Sequence, residues 1–398
     1  MEIWKRNLAV CWFCVFAISS GMSQIIPILP LYIEQLGIHD TAEIEQWAGL
    51  AYGINFISLA IFSPIWGQAA DRYGRKPMLL RASLWLSIIM TCMGFAQNVY
   101  QLVGLRMLQG ALAGFISAAI TLVAVQTPRE RVGWALGTLS TASVGGTLLG
   151  PLVGGYLADT VGMRSVFLSI GALSLTAFVF SWLFVKEEFV RSEERTLSFR
   201  EVWRLIPDQK IMISMFITTF IMSMALMSIQ PIITVFIGQL LHNDDHIALI
   251  SGAVFAASGL ASMLAASRLG KLSDEIGPQK VMFTALVIAG ILFIPQAFVT
   301  SAWQLGILRF LIGLATAGLL PSINSMIKHN TPEAIAGRAF GYNQSAQFLG
   351  AFGGSVLGGG VAAFFGIQSV FFFTAALLLL NAVWVYKKVY KTGPAHSQ

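Results

Sequence analysis

Charge is what this sequence has least of. Asp, Glu, Lys and Arg make up 11% of its 398 residues, and hydrophobic residues 56%. Soluble domains carry roughly 25% charged residues, so a fold surrounded by water is excluded and the solvent is lipid. Cysteine is scarce too. Cys11, Cys14 and Cys92 all fall in apolar runs, which excludes a disulfide framework. Cys11-x-x-Cys14 has the spacing of a redox or metal pair, but a lipid-embedded helix without further ligands does not support that reading. The five histidines (His39, His242, His246, His329, His396) lie in loops or the C-terminal tail. His242 and His246 flank Asp244 and Asp245 in what is read as a solvated loop, not a metal site. No G-x-x-x-x-G-K-[ST] is present, so no ATP-driven engine is expected. No nucleophile–base set lies in an apolar run, so neither an enzyme nor a bound cofactor is expected.

What the chain has instead is long apolar runs. Twelve reach the length a membrane helix needs, about 20 residues: roughly 8–33, 47–69, 78–96, 99–125, 133–158, 163–185, 211–238, 246–268, 279–299, 302–327, 338–364 and 367–386. They are too long for the strands of a membrane barrel. The first is read as an uncleaved span, because no small-residue cleavage site follows it. "NQS" at Asn343 matches a glycosylation sequon but falls inside a run. Placing the N-terminus in the cytoplasm puts 22 of the 25 Lys and Arg on that side; only Arg164 falls outside, and Arg106 and Arg309 lie within spans. This positive-inside bias explains the net charge of +6 without a nucleic-acid partner and places both termini in the cytoplasm.

The chain is written twice. "GQAADRYGRKP" (67–77) has an echo, "GKLSDEIGPQK" (270–280), displaced by 203 residues. "QLVGLRMLQG" (101–110) returns as "QLGILRFLIG" (304–313), and "GTLLGPLVGGYLADTVGMRSVF" (146–167) as "GAFGGSVLGGGVAAFFGIQSVF" (350–371). An even number of spans per repeat gives both halves the same orientation. The fold expected is an all-α membrane protein of twelve transmembrane helices in two pseudo-symmetric six-helix bundles, residues 1–185 and 211–398. Between them, 186–210 holds six bases and six acids. It reads as a solvated linker with a short surface helix carrying Phe199, Val202, Trp203 and Ile206.

Several residues stand out physically. In the opening motif Gly67 suits close helix approach and Gly74 a tight turn. Asp71 can accept from Arg75 four residues on, or face the positive N-terminal end of another helix. Arg72, Arg75 and Lys76 fix the loop's side of the membrane. Gly146, Gly150 and Gly154 share one face of span five, where each costs about 0.5–1 kcal/mol relative to alanine. Close backbone packing offsets that cost, either as static packing or as a moving seam between the halves bent at Pro151; on the second reading Gly150→Leu jams exchange in a protein that still inserts. Arg106 and Arg309 are expensive at matched positions in spans four and ten, with Gln24 and Gln230 as candidate polar partners. A methionine-rich stripe in span seven (Met212, Met215, Met222, Met224, Met227), with Tyr52, Asn55, Phe56, Tyr342, Asn343, Gln344 and Gln347, offers further pocket candidates. All 19 Asp and Glu fall at span ends or in loops, so no buried acid is expected at the membrane centre. Glu34, Asp71 and Asp159 are the remaining candidates to carry a proton.

These motifs together resemble the major facilitator superfamily over essentially the whole chain. "GQAADRYGRKP" fits its G-x-x-x-D-R-x-G-R-K loop, and Arg106-x-x-Gln109-Gly110 its fourth-span motif. Gly137-x8-Gly146-x3-Gly150-Pro151-x2-Gly154-Gly155 is similar to the antiporter motif of its drug exporters. The resemblance implies a twelve-span drug/proton antiporter in the inner membrane of a bacterium, working as a monomer by alternating access. It also implies a latch between the halves at Asp71, opposite the end of span eleven near Gly337 and Arg338. With two intramembrane arginines and no buried acid, the cargo expected is anionic, zwitterionic or neutral amphipaths. A sugar or organic-anion symporter on the same scaffold is the alternative, and a transport-dead scaffold the more distant one.

Overall fold

The computed structural model describes residues 2–187, 189, 199–241, 246–332 and 335–390, and among them every regular element is helical. Twelve helical segments are long and apolar enough to cross a membrane. Spans one to six are Ile3–Gln35, Thr41–Tyr73, Arg75–Gly94, Val99–Gln126, Val132–Thr160 and Met163–Phe184. Spans seven to twelve are Gln209–Leu240, Ile247–Ile276, Pro278–Gln296, Ala302–His329, Ala336–Phe365 and Ile367–Tyr390. Most reach beyond the apolar runs, because helix geometry continues into polar ends that hydropathy does not count.

Three spans are interrupted. Span four breaks between Leu112 and Phe115, where Gly114 takes φ +127°, and span ten breaks at the repeat-related place between Thr316 and Leu319. Span seven breaks between Ile229 and Ile233, where Pro231 removes an N–H from the helical ladder. Span one carries Pro27 and Pro30 and stays continuous.

By its internal contacts the chain forms two compact units. The first comprises Met1–Asp40, Ile54–Glu194 and Ile237–Ala256; the second comprises Thr41–Gly53, Arg195–Phe236 and Ala257–Gln398. The N-terminal parts of spans two and eight thus each belong to the unit built mainly from the opposite repeat. In the first unit span one lies along span five and span three along span six; in the second, span eleven lies along span seven and span nine along span twelve.

The first unit's core gathers Leu8, Val15, Leu79, Phe115, Leu122 and Leu139. Cys11 and Cys14 belong to the same core, with the Cys14 thiol donating to the Ala177 carbonyl at 3.6 Å. Both are packing residues. In the second unit the linker helix Phe199–Arg204 forms as expected. It turns one face inward: Val202 and, just beyond its end, Ile206 are buried, while Arg204 is exposed. Residues 188 and 190–198 of the linker, like His242, Asp244, Asp245 and His396, lie outside the described residues.

Candidate functional site

The 2–3 loop is built on Gly74, whose φ of +94° only glycine adopts without strain. Gly277, its repeat counterpart, takes φ +98°. Span three begins immediately after Gly74 with unsatisfied N–H groups. The Glu187 carboxylate closes them, accepting from the backbone N–H of Arg75 at 2.9 Å and of Lys76 at 2.7 Å. Lys76 Nζ in turn donates to the carbonyls of Trp182 (3.1 Å) and Val185 (2.7 Å), capping the C-terminal end of span six. Asp71 accepts from Arg75 Nη2 at 3.3 Å and is otherwise exposed. Gly67 is not a close-approach position in this structure, since a methyl group there would meet nothing within 4 Å. Glu187 had no signal in the sequence beyond being one acid among six in a charged linker.

The span-five glycines pack differently from the seam reading. A methyl group on Gly146 would collide with Phe16 and Ser20, one on Gly150 with Ser20 and Ser23, and one on Gly154 with Gln24. That face is turned to span one of the same unit, so it packs within one bundle. Ser23 Oγ reinforces it, donating to the carbonyls of Ser19 (2.9 Å) and Gly146 (3.2 Å). Gly350, Gly354 and Gly358 meet Phe220, Met224 and Ser228 of span seven in the same way. Gly137 meets nothing within 4 Å.

The crossing onto span eight is made by the other two motif residues. Gly155 lies against the backbone of Ala248 and Leu249, and Gly252 against the Pro151 carbonyl. The second unit repeats this: Gly359 lies against Glu45 and Gly49, and Gly49 against the Ser355 carbonyl. Gly49 and Gly252 correspond in the repeat, as do Gly155 and Gly359. Neither Gly49 nor Gly252 belongs to a motif recognised in the sequence, although their spacing of 203 residues is there to be read.

Each crossing carries one acid, and the acids are not equivalent. Asp159 Oδ2 accepts from the Leu249 N–H at 2.9 Å, capping the start of span eight, with His246 Nδ1 3.9 Å away. At the other crossing Glu45 is 3% exposed, the only buried carboxylate among the described residues. It lies at a span end, as the sequence led one to expect of every acid, but it is buried there. Span two begins at Thr41, not near 47, so Glu45 sits a full turn inside the helix and is not in a loop. Glu34, by contrast, is exposed.

Arg106 is buried and donates to Gln109 Oε1 at 3.1 Å, and Gln109 Nε2 lies 3.3 Å from the Met22 sulfur of span one. Gly110 lets span four close on Asn55 and Ser58 of span two. Gln24 is engaged elsewhere, accepting from Ser169 of span six at 2.9 Å. Gln230 sits at the break in span seven. Arg309 lies over the Phe293 ring at 5.6 Å, and its Nε and Nη2 are buried with no hydrogen-bond partner among the described residues.

A third intramembrane cation went unrecognised in the sequence. Arg81 stacks on the Trp66 ring at 3.5 Å and donates to the Ala113 carbonyl at 2.9 Å, while Trp66 Nε1 donates to the Ala111 carbonyl at 2.6 Å. Together they hold the free carbonyls at the break in span four. Of the remaining pocket candidates, Met212, Met215 and Met222 are core. Asn343 accepts from Thr219 at 2.7 Å, and Gln344 bonds Gln347. Tyr52 and Asn55 are buried and Phe56 and Tyr342 half-buried. Among the described residues no group of three His, Cys, Asp or Glu is placed to hold a metal ion.

Two multidrug resistance proteins named MdtG are similar along nearly the whole chain. The one from Citrobacter koseri is 45% identical over 97% of this chain and 95% of its own length. The one from Enterobacter lignolyticus is 45% identical over 98% and 94%. Among solved structures, a bacterial homologue of the human lysosomal transporter Spinster matches with a TM-score of 0.81 at 15% identity, covering 99% of this chain and 100% of that one. The nucleoside transporter NupG matches with a TM-score of 0.78 at 14% identity, covering 97% and 100%. At those identities the structures speak for the fold alone. The family model of the Major Facilitator Superfamily matches residues 11–269 and 215–398. With twelve spans, two repeats and relatives 45% identical from end to end, the chain belongs to the Major Facilitator Superfamily.

Proposed function

We propose that this multi-pass inner-membrane protein exports amphipathic drugs in exchange for protons. The observation that carries the reading is the 45% identity, over 97% of the chain, to a protein named for multidrug resistance. Residues 1–185 and 211–398 act as the two moving bundles, 186–210 joins them, and both termini lie in the cytoplasm. The protein works as a monomer. Outward opening parts span two from span eleven and span eight from span five. Glycine backbones at both crossings support this, because surfaces with few side chains separate without repacking a core.

Glu45 is the acid best placed to carry the proton. Glu45 is buried at the crossing of spans two and eleven, and parting the crossing brings water to it. Its protonation and the parting of spans two and eleven are therefore thermodynamically linked. Asp159 serves the other crossing as a cap on span eight. The cargo class that suits the site is acidic, zwitterionic or neutral, and this rests now on Arg106 and on the unpartnered donors of Arg309. A carboxylate would form charge-assisted bonds with them. Respiring everted membrane vesicles test the reading: chain-dependent uptake of an acidic quinolone should appear on energisation and collapse with a protonophore. Uptake that survives the protonophore would sink proton coupling.

A further inference from the structure

An apolar cavity of 720 Å³ opens on the first unit between the start of span one and the start of span five. Trp4, Leu8 and Trp12 follow one another at four-residue spacing along span one, and Trp134 and Thr138 do so along span five, with Lys5 and Arg131 completing the lining. Four-residue spacing puts each set on a single helix face. Trp12 is anchored in advance of any ligand. Trp12 Nε1 donates to Thr141 at 3.0 Å, and its ring stacks parallel on Phe16 at 5.7 Å. Trp134 is 63% exposed.

We infer that this groove is a binding site for an anionic phospholipid. Its lining is mostly indoles and aliphatic side chains, which suits an acyl chain, whereas a soluble anion would gain nothing from that surface. Its cations are unequal. Lys5 is neutralised by Glu2 at 2.7 Å. Arg131 has no ion pair among the described residues, and its field, added to the stronger effect of Lys5, helps hold the Glu2 carboxyl below its usual range. The phosphate is therefore taken by Arg131. Tryptophans concentrate where bilayer meets water, and basic side chains beside such a site favour anionic lipid. A zwitterionic lipid would bring a cationic headgroup against Arg131. The groove shares no residue with the crossings or the intramembrane arginines.

Quenching of tryptophan fluorescence by lipids brominated on their acyl chains reads this contact directly. The protein is placed in phosphatidylcholine vesicles containing either brominated phosphatidylglycerol or brominated phosphatidylcholine. The part of the signal lost in Trp134→Phe isolates the groove. Phosphatidylglycerol should quench that part with about fivefold higher apparent affinity, the factor one basic side chain contributes at an anionic surface. Arg131→Gln should bring the ratio near one. Glu2→Gln, which frees Lys5, should raise it above wild type. Arg164→Gln, remote in sequence from the groove, should leave it unchanged. Equal quenching by the two lipids in the wild type, or a preference that survives Arg131→Gln, would overturn the assignment. Relief of quenching by a soluble acidic drug without any lipid preference would also overturn it, giving the groove to cargo. Because the readout is lipid contact in unenergised vesicles, its failure is separate from any failure of drug export.

Discussion

At the scale of single residues, two carboxylates near the 2–3 loop have opposite duties. Glu187 makes two charge-assisted bonds to the start of span three, so Glu187→Gln should lower stability. A lost cap is worth about 1 kcal/mol, visible as a lower thermal unfolding midpoint in detergent. Asp71 is 69% exposed and makes one 3.3 Å bond, so Asp71→Asn should leave that midpoint unchanged. Export should nevertheless collapse at normal membrane abundance if Asp71 latches the halves; full export would reduce it to a topology signal. Arg106→Ala should reduce transport of acidic drugs more than of neutral ones, compared as kcat/KM in the same vesicles. The sequence showed Asp71 and Arg106 because a motif and a charge in an apolar run are visible locally. It hid Glu187, whose partners lie more than a hundred residues away. Arg81, near the start of a run, reads as one of the cytoplasmic charges, and its partners Trp66 and Ala113 lie on other spans. Glu45 was hidden by the apolar run beginning later than the helix.

At the scale of elements, the glycines of span five divide by face. Gly150 touches Ser20 and Ser23 of its own bundle, whereas Gly252 touches Pro151 at the crossing of spans five and eight. Gly150→Leu should therefore fail at folding, with little protein reaching the membrane. Gly252→Leu should reach the membrane at near-normal abundance and lose exchange. Blotting of membrane fractions beside a transport assay separates the two, and the reverse pattern would contradict this division. The spans themselves were legible, because about 20 apolar residues are needed to cross lipid whatever the tertiary structure. The breaks in spans four, seven and ten were not read. Glycine and proline occur in many continuous spans, Pro27 and Pro30 of span one among them, so composition alone does not mark a break.

At the scale of the molecule, the repeat of 203–204 residues made the twelve-span, two-half architecture readable. The same repeat in the structure pairs Gly155 with Gly359 and Gly49 with Gly252, giving two related crossings with different acids. That difference is where coupling is expected to reside: Glu45 is buried and Asp159 caps a helix. In the proposed exchange the drug moves against a proton carried by Glu45. Purified protein in liposomes with an imposed pH gradient and a trapped pH dye tests it most directly. Wild type should move protons in proportion to the drug exchanged, and Glu45→Gln should still exchange drug down its own gradient while moving no protons. Proton movement by Glu45→Gln equal to that of the wild type would contradict the account.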